Sequence, residues 1–503
     1  MEERRDVGAV AGGQGVQGNL LAYLVLFTWP LIIFAVYSRR ARSHSVARTT
    51  AWLMMLSVMF LPSSLAYDPP LLPALDKHRV SFLAIALAVI TFHRGDLLKA
   101  APKHMLPRII FLVLLVGVVR TVQTNGDPLL LSRISLPGLT SHDILSSAIA
   151  LALDVYLPFA IGQRVFRTEQ DLYDLFEVMS TCMLIYAPLM LLEVRLSPQL
   201  HRWVYGFHPH DFIQAMREDG YRPVVFMNHG LSVAMWVFSG LCATLALQKA
   251  GRTLRITVKQ RLMAGVVLMV LTKSWAPTIY AVIASFLIWL MKPKAVVRVV
   301  ALVSIVVLAY PVARFENLIP AERVVEFVRQ YNPDRAQSLE FRFDNESILL
   351  ARAMERPLHG WGTFGRNLIY SESDGRIISV TDGYWIIMIG AWGYLGFFCF
   401  FALMVLPLWR FAWHCRRMSR SEQAAASCLA LILALFTFDL LPNSRSDYLS
   451  VVYAGILWTV SERFSRRARL SRADRIDQKM AYIDRKRPMA RLARSQSRSA
   501  VNS

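Results

Sequence analysis

The chain has 503 residues, 55% hydrophobic and 18% charged, against about 45–50% and about 25% in soluble proteins, which excludes an ordinary water-soluble enzyme. Lys and Arg number 56 against 35 Asp and Glu, a formal charge of +21. No base-reading module accompanies that excess, so it speaks for membrane topology and anionic lipid rather than nucleic acid.

Residues 1–19 form a polar tail in which Arg4 and Arg5 nearly balance Glu2, Glu3 and Asp6. The apolar run Leu20 to Tyr37 follows, and the basic cluster Arg39, Arg40, Arg42 and Arg48 comes after it. A cleavable signal has the reverse polarity, so the run is expected to be a retained span ending in the cytoplasm. Further spans are expected near 49–67, 80–92, 108–122, 143–162, 176–194, 224–247, 260–273, 276–291, 295–312, 381–409, 424–441 and 446–460. The total is about 13, or 12 if the runs flanking Lys273 and Pro277 are one broken helix. Segments assigned to the cytoplasm carry 35 of the 56 Lys and Arg. This predicts an extracytoplasmic N-terminus and a cytoplasmic C-terminus. The fold class is therefore all-α, a polytopic membrane helix bundle with one large helical extracytoplasmic loop. Its divisions are the tail 1–19, transmembrane helices at 20–312, the loop 313–380, three more helices at 381–460 and a basic tail 461–503 with net charge +9, expected to hold anionic lipid. Cys182, Cys242, Cys399, Cys415 and Cys428 show no CxxC spacing and imply neither a disulfide framework nor a zinc site. No internal repeat and no paired broken spans of the inverted-repeat transporter kind are found.

The large loop opens with an amphipathic stretch, Pro320 to Tyr331, ended by Asn332-Pro333. A second helix is expected from about Ala336 to Glu355, closed by Pro357-Leu-His-Gly-Trp-Gly362. Both helices are expected on the bilayer surface or capping the bundle. The loop holds nine Arg, no Lys and ten acids. Arg suits bidentate recognition of phosphate or carboxylate, although Arg342 with Glu346 also has the i, i+4 spacing of a simple ion pair. Two arginines stand out by context: Arg342 in Ser338-Leu-Glu-Phe-Arg-Phe-Asp-Asn-Glu346, and Arg222 in Gly220-Tyr-Arg-Pro-Val-Val-Phe-Met-Asn228.

These pieces, in order, carry a resemblance. Arg222-Pro with Asn228 at the start of a span is followed by a long loop with Arg342 and Pro357-Leu-His-Gly-Trp-Gly362. Thr381-Asp-Gly-Tyr-Trp385 then runs into Gly393-Tyr-Leu-Gly396. Over about residues 215–400 the chain resembles the O-antigen ligase and O-antigen or exopolysaccharide polymerase superfamily. The resemblance implies a GT-C-like integral membrane glycosyltransferase that needs no metal or cofactor. Such an enzyme takes a glycan from a polyprenyl diphosphate donor with inversion. The implied partners are undecaprenyl-diphosphate-linked donor and acceptor, membrane lipid, and other export proteins such as a chain-length regulator, with no nucleic acid. The implied place is the bacterial inner membrane, with the large loop periplasmic. Ligases of this family place His-Asn where this chain has Thr381-Asp382-Gly383, which favours a polymerase-like member.

On this reading Arg222 and Arg342 stabilise charge on the leaving diphosphate, and Asp382 is the base or positions the acceptor hydroxyl, unless it only caps a helix. Glu346 and Asp344 are the competing bases. Asn228, Glu346, His359, Tyr384 and Trp385 are expected against the substrate, and Trp361, Tyr370 and Trp392 are further aromatics for sugar stacking or interfacial anchoring. His208-Pro-His210-Asp211 lacks a metal-ligand spacing. Asp154, inside an apolar span, requires a protein partner or a water-filled cavity. A glycan ligase acting on lipid A core is the alternative enzyme, and a lipid-linked glycan flippase or solute transporter the alternative of another class.

Overall fold

The computed structural model describes residues 17–40, 45–69, 72–99, 105–131, 133–217, 220–290, 293–444 and 448–463. The readings made on residues 1–16 and on the tail beyond 463 lie outside the described residues. Helices dominate: α1 Leu20–Arg40, α2 Val46–Phe60, α3 Lys77–Lys99, α4 Leu106–Gln123, α5 Ser141–Leu151, α6 Leu157–Val165, α7 Glu169–Leu196, α8 Leu200–Tyr205 and α9 Gly230–Lys249. They continue as α10 Val258–Leu271, α11 Trp275–Leu290, α12 Pro293–Phe315, α13 Ala321–Tyr331, α14 Pro333–Met354, α15 Tyr384–His414, α16 Arg420–Asp439 and α17, residues 448–463. Among the described residues, three antiparallel pairs of two-residue strands decorate the loops, including 216–217 with 220–221.

Among the described residues, eight helices are long and apolar enough to cross a membrane, and each expected span has a helical counterpart. Hydrocarbon leaves no other way to satisfy the backbone of such runs. The chain is thus a helical multi-pass membrane protein. The span expected at 49–67 stops early, at Phe60, because Leu61 precedes Pro62 and is held extended. The span expected from 224 begins only at Gly230, where the His229 ring accepts from Leu231 N–H at 3.0 Å and caps α9. In the loop, Asn332 caps Arg335 N–H at 3.0 Å, so α14 begins at Pro333, a turn earlier than expected.

α9 and α16 form the buried centre, with 83% and 72% of their most apolar windows enclosed. α9 packs on α7, α10, α11 and α16, while α12 lies against α15 and α16. Peripheral helices expose Leu31, Trp289 and Ile305, an apolar surface suited to lipid.

Contacts between loops sort into two sets. Asn19 bonds Val204, Ser63 bonds Phe226, Arg222 bonds Ser274, Arg366 bonds Pro137 and Arg342 bonds Pro442. Arg48 pairs with Glu177, Arg252 bonds Gln170, Tyr173 bonds Ser421 and Arg463 bonds Arg167. The first set joins loops that the basic-residue pattern placed on one side, and the second joins loops placed on the other. The alternation of the helices is therefore reproduced by packing.

The Pro-Gly motif of the loop and the glycines of α15 turn out to be one feature. α15 breaks at Gly393, where φ is 65° and ψ −172°, a region open essentially to glycine alone. Residues 357–362 lie across the break. Trp361 N–H donates to Gly390 O at 2.8 Å and Gly362 N–H to Ala391 O at 2.9 Å, while Tyr394 and Leu395 N–H donate to Pro357 O and Leu358 O at 2.7 and 3.3 Å. A Cβ on Gly393 would stand 2.4 Å from the Leu358 carbonyl. Four main-chain hydrogen bonds thereby fasten the large loop to the bundle at this break.

Candidate functional site at the large-loop face

α14 carries Arg335 and Arg342 two turns apart, hence on one helix face and about 10 Å from each other along the axis. Arg342 Nε stands 3.6 Å from Asp382 Oδ2, and its Nη1 donates to Pro442 O at 3.3 Å. Both side chains are partly open, 41% and 29% exposed. Asp382 sits just before α15, whose first residue, Tyr384, donates its N–H to Leu440 O at 2.9 Å. Burial pushes the Asp382 carboxyl above its ordinary range, and the Arg342 charge pulls it partly back. The two residues chosen from sequence for leaving-group and base roles are thus neighbours.

Glu346 does not pair with Arg342. It is buried beneath it, accepting from Arg314 Nε at 3.2 Å, from Tyr310 Oη at 3.0 Å and from Trp385 Nε1 at 3.4 Å. Arg314 also donates to Phe343 O and Ser347 Oγ, each at 3.1 Å. Helix α14 turns Glu346 toward α12, so a partner 32 residues away displaces the i, i+4 one. Glu346 and the fully buried Trp385 are accordingly engaged with each other and with α12 and are closed to a sugar, which corrects both expectations. Asp344 is exposed.

Arg222 is buried. Its Nη2 donates to Ser274 Oγ at 2.8 Å, and its Nε has no hydrogen-bond partner. The side chain is pressed against the start of α9, where a Cβ on Gly230 would fall 2.7 Å from Arg222 Cδ. A helix N-terminus is a positive site, and among the described residues no carboxylate offsets it: burial and then Arg217 lower the Arg222 guanidinium to about 10, still charged at neutral pH. Arg335 in turn adds to the burial that lowers Arg217. Lys273 Nζ comes within 3.3 Å of where a Cβ of Gly220 would be. Among the described residues Arg217, Arg222, Lys273 and Arg335 therefore make a basic cluster drawn from three separate segments.

Most other loop arginines are committed elsewhere. Arg329 pairs with Glu326 and Glu340, Arg352 with Glu355, and Arg376 with Asp374. Arg366 is buried and donates to Pro137 O and Asp127 O, and Arg356 donates to Thr124 O. Trp361 is buried, with the guanidiniums of Arg352 and Arg356 at 3.5 and 4.3 Å from its ring centre. His359 accepts from Thr121 Oγ1 at 2.6 Å through its carbonyl, as part of the motif that bridges the α15 break. Tyr384 is half-buried against Phe400. Among the described residues no His, Cys, Asp and Glu group could hold a metal. The His229 imidazole near His210 is already spent on capping α9 and on Gln214 Oε1, at 3.2 Å.

The sequence reading missed the segment Asp76-Lys77-His78-Arg79. Four polar residues at the mouth of an apolar span were the available signal. Lys77 Nζ faces Ser63 Oγ at 2.7 Å and the carbonyls of Val58, Leu61 and Phe226 at 3.0 to 3.3 Å. Arg79 meets Asp154 through two bonds of 2.7 Å, and Tyr448 Oη donates to the same carboxylate at 2.9 Å. Asp154 thus has the protein partner its span demanded, and it sits on a π-helical turn, Ala152–Tyr156, a distortion common at functional sites. A cavity of about 310 Å³ lies beside this segment and takes in Asn228.

No protein-family model matches the chain, and no curated protein matches it either. What the fold and site define is a class, a multi-pass helical membrane protein with a cationic mouth at its large-loop face.

Proposed function

We propose that this protein is a GT-C-like inner-membrane glycosyltransferase that polymerises polyprenyl-diphosphate-linked oligosaccharide units on the periplasmic side. The observation that carries the reading is Arg222, a buried cation with an unpartnered Nε and, among the described residues, no carboxylate partner, in a basic cluster that includes Arg335 of the helix carrying Arg342. A buried unpaired charge is costly, and a diphosphate supplies the missing anion. The short basic loops on the opposite face support a cytoplasmic assignment there, and the polyprenyl tail suits the apolar flank of the bundle.

In the proposed step a hydroxyl oxygen of the acceptor sugar attacks the anomeric carbon of the donor from the face opposite the diphosphate. The bond from that carbon to the diphosphate oxygen breaks, and the leaving oxygen keeps the electron pair. Arg222 and Arg342 stabilise the growing negative charge. Asp382 takes the hydroxyl proton, and its raised pKa suits a base that must hold it. Asp382, in the place where ligases of the resembling family carry His-Asn, favours polymerisation over transfer to lipid A core.

The test is the surface glycan of a deletion strain. Polymerisation predicts single repeat units, restored to long chains by the parent gene. Full-length polymer left on its carrier would instead mean ligation, and substrate movement in liposomes without bond formation would mean transport. Arg342→Lys and Asp382→Asn at equal expression are expected to shorten or abolish the polymer, and normal length distributions in both would remove these residues from the reaction.

A further inference from the structure

The cavity of about 310 Å³ lies on the large-loop face between the 63–66 segment, the mouth of α3, the 227–239 stretch, and α16 and α17. Its space corresponds to roughly ten water volumes, at the lower end of the size range of small-ligand sites. That is room for a sugar ring.

The wall chemistry is mixed. Trp236, Phe436 and Leu449 give apolar surface, while Asp76, His78 and Asn228 give polar atoms. Several of those polar groups are uncommitted among the described residues. His78 is held flat against Tyr448, ring centres 4.5 Å apart and planes within 10°, and none of the described residues hydrogen-bonds its ring nitrogens. Asn228 is exposed to the cavity and spends its Oδ1 on Ser232 Oγ at 2.9 Å, leaving its Nδ2 open. Rigid hydrogen-bonding groups around an aromatic and aliphatic wall match a pyranose, which offers hydroxyls at its edge and C–H bonds on its face.

Charge decides the kind of sugar. Lys77 lines the cavity, but its ammonium has three hydrogens and four protein oxygens already within bonding distance. Asp76 caps α3 through the N–H groups of His78 and Arg79, at 3.0 and 2.8 Å. Arg79 is taken up by Asp154 and by Ala74 O. Among the described residues that line the cavity, no cation is left to meet a carboxylate, and the Asp76 carboxylate would repel one.

We infer that this cavity is a binding site for a single neutral pyranose, the seat of one sugar of the acceptor unit. That role rests on the glycan-transfer reading, whereas the binding itself does not. The placement fits: Asn228 follows the Arg222 segment, and Phe436 and Leu449 come from the two helices flanking the turn that Arg342 touches at Pro442.

The experiment is saturation-transfer NMR on the full chain in lipid nanodiscs, with empty nanodiscs as blank. Probes are methyl glycosides of neutral hexoses and 6-deoxyhexoses, with methyl glucuronoside as the anionic counterpart. At least one neutral glycoside is expected to receive saturation, with the glucuronoside several-fold weaker. His78→Phe, which keeps the stack on Tyr448, and Asn228→Leu are each expected to weaken binding tenfold or more. Absence of transfer from every neutral glycoside to the unaltered protein overturns the proposal without any variant. Preference for the glucuronoside, or undiminished binding in both variants, overturns it as well. Loss of the pocket with Arg342 and Asp382 dependence intact sinks this inference alone, and the converse result sinks the catalytic reading alone.

Discussion

Replacing Gly393 by Ala separates two physical costs that the structure assigns to one position. Gly251 has the same φ, 65°, but nothing lies within 4 Å of where its Cβ would be. Gly251→Ala therefore reports the backbone term alone, about 1–2 kcal/mol. Gly393→Ala adds a methyl 2.4 Å from the Leu358 carbonyl, in a φ/ψ region closed to side chains. Strain of about 1–3 kcal/mol and overpacking of about 1–3 kcal/mol together reach about 2–6 kcal/mol. Residues 357–362 would have to move to relieve it, giving up the four main-chain bonds that fasten the large loop. Thermal unfolding in detergent should show Gly393→Ala clearly less stable than Gly251→Ala, and limited proteolysis should cut its 313–380 loop faster. Equal stability of the two variants, with equal cleavage, would refute the account of the motif.

Three further outcomes are expected. Arg314→Met strands the buried Glu346 carboxylate, so it should cost about 3–5 kcal/mol in thermal stability, and adding Glu346→Leu should recover much of it; a double variant worse than the single one contradicts the pairing. The folded Asp382 carboxyl is raised by burial, so its contribution to stability is present below the ordinary carboxylate pKa and is lost as pH rises through the folded value. As a base it needs the ionised form, so the transfer rate should climb with pH through that raised value. Arg342→Met removes the opposing charge and should move this limb to higher pH, whereas Arg342→Lys should leave it in place; a limb indifferent to both argues against contact. His229 is lowered to about 3, by burial first and then by Arg222. Its stability contribution is full above about 6.5 and lost as pH falls toward 3, about 2 kcal/mol by pH 5. His229→Asn, which keeps a helix cap, should flatten the fall in melting temperature between pH 7 and pH 5.

Span positions and the alternation of the two faces were legible because hydrocarbon imposes a local rule. Twenty apolar residues must be helical, and basic residues collect at alternate ends. Helix ends were misplaced where their punctuation went unread, as at Pro62 and at the His229 cap. Arg342 and Asp382 were singled out by the order of motifs, but that they stand 3.6 Å apart comes from the structure alone.

What tertiary structure alone decided is which partner each charge takes. Glu346 chose Arg314 over the sequence-near Arg342 because α14 turns it toward α12. Asp154 found Arg79 and Tyr448, 75 and 294 residues away, and the Pro-Gly motif found the broken helix it stitches. Composition and periodicity act over a few turns of chain, so they determine spans and topology. Ion pairs, carbonyl clamps and the sugar-sized cavity depend on which helices pack together, and on the direction each side chain takes once they do.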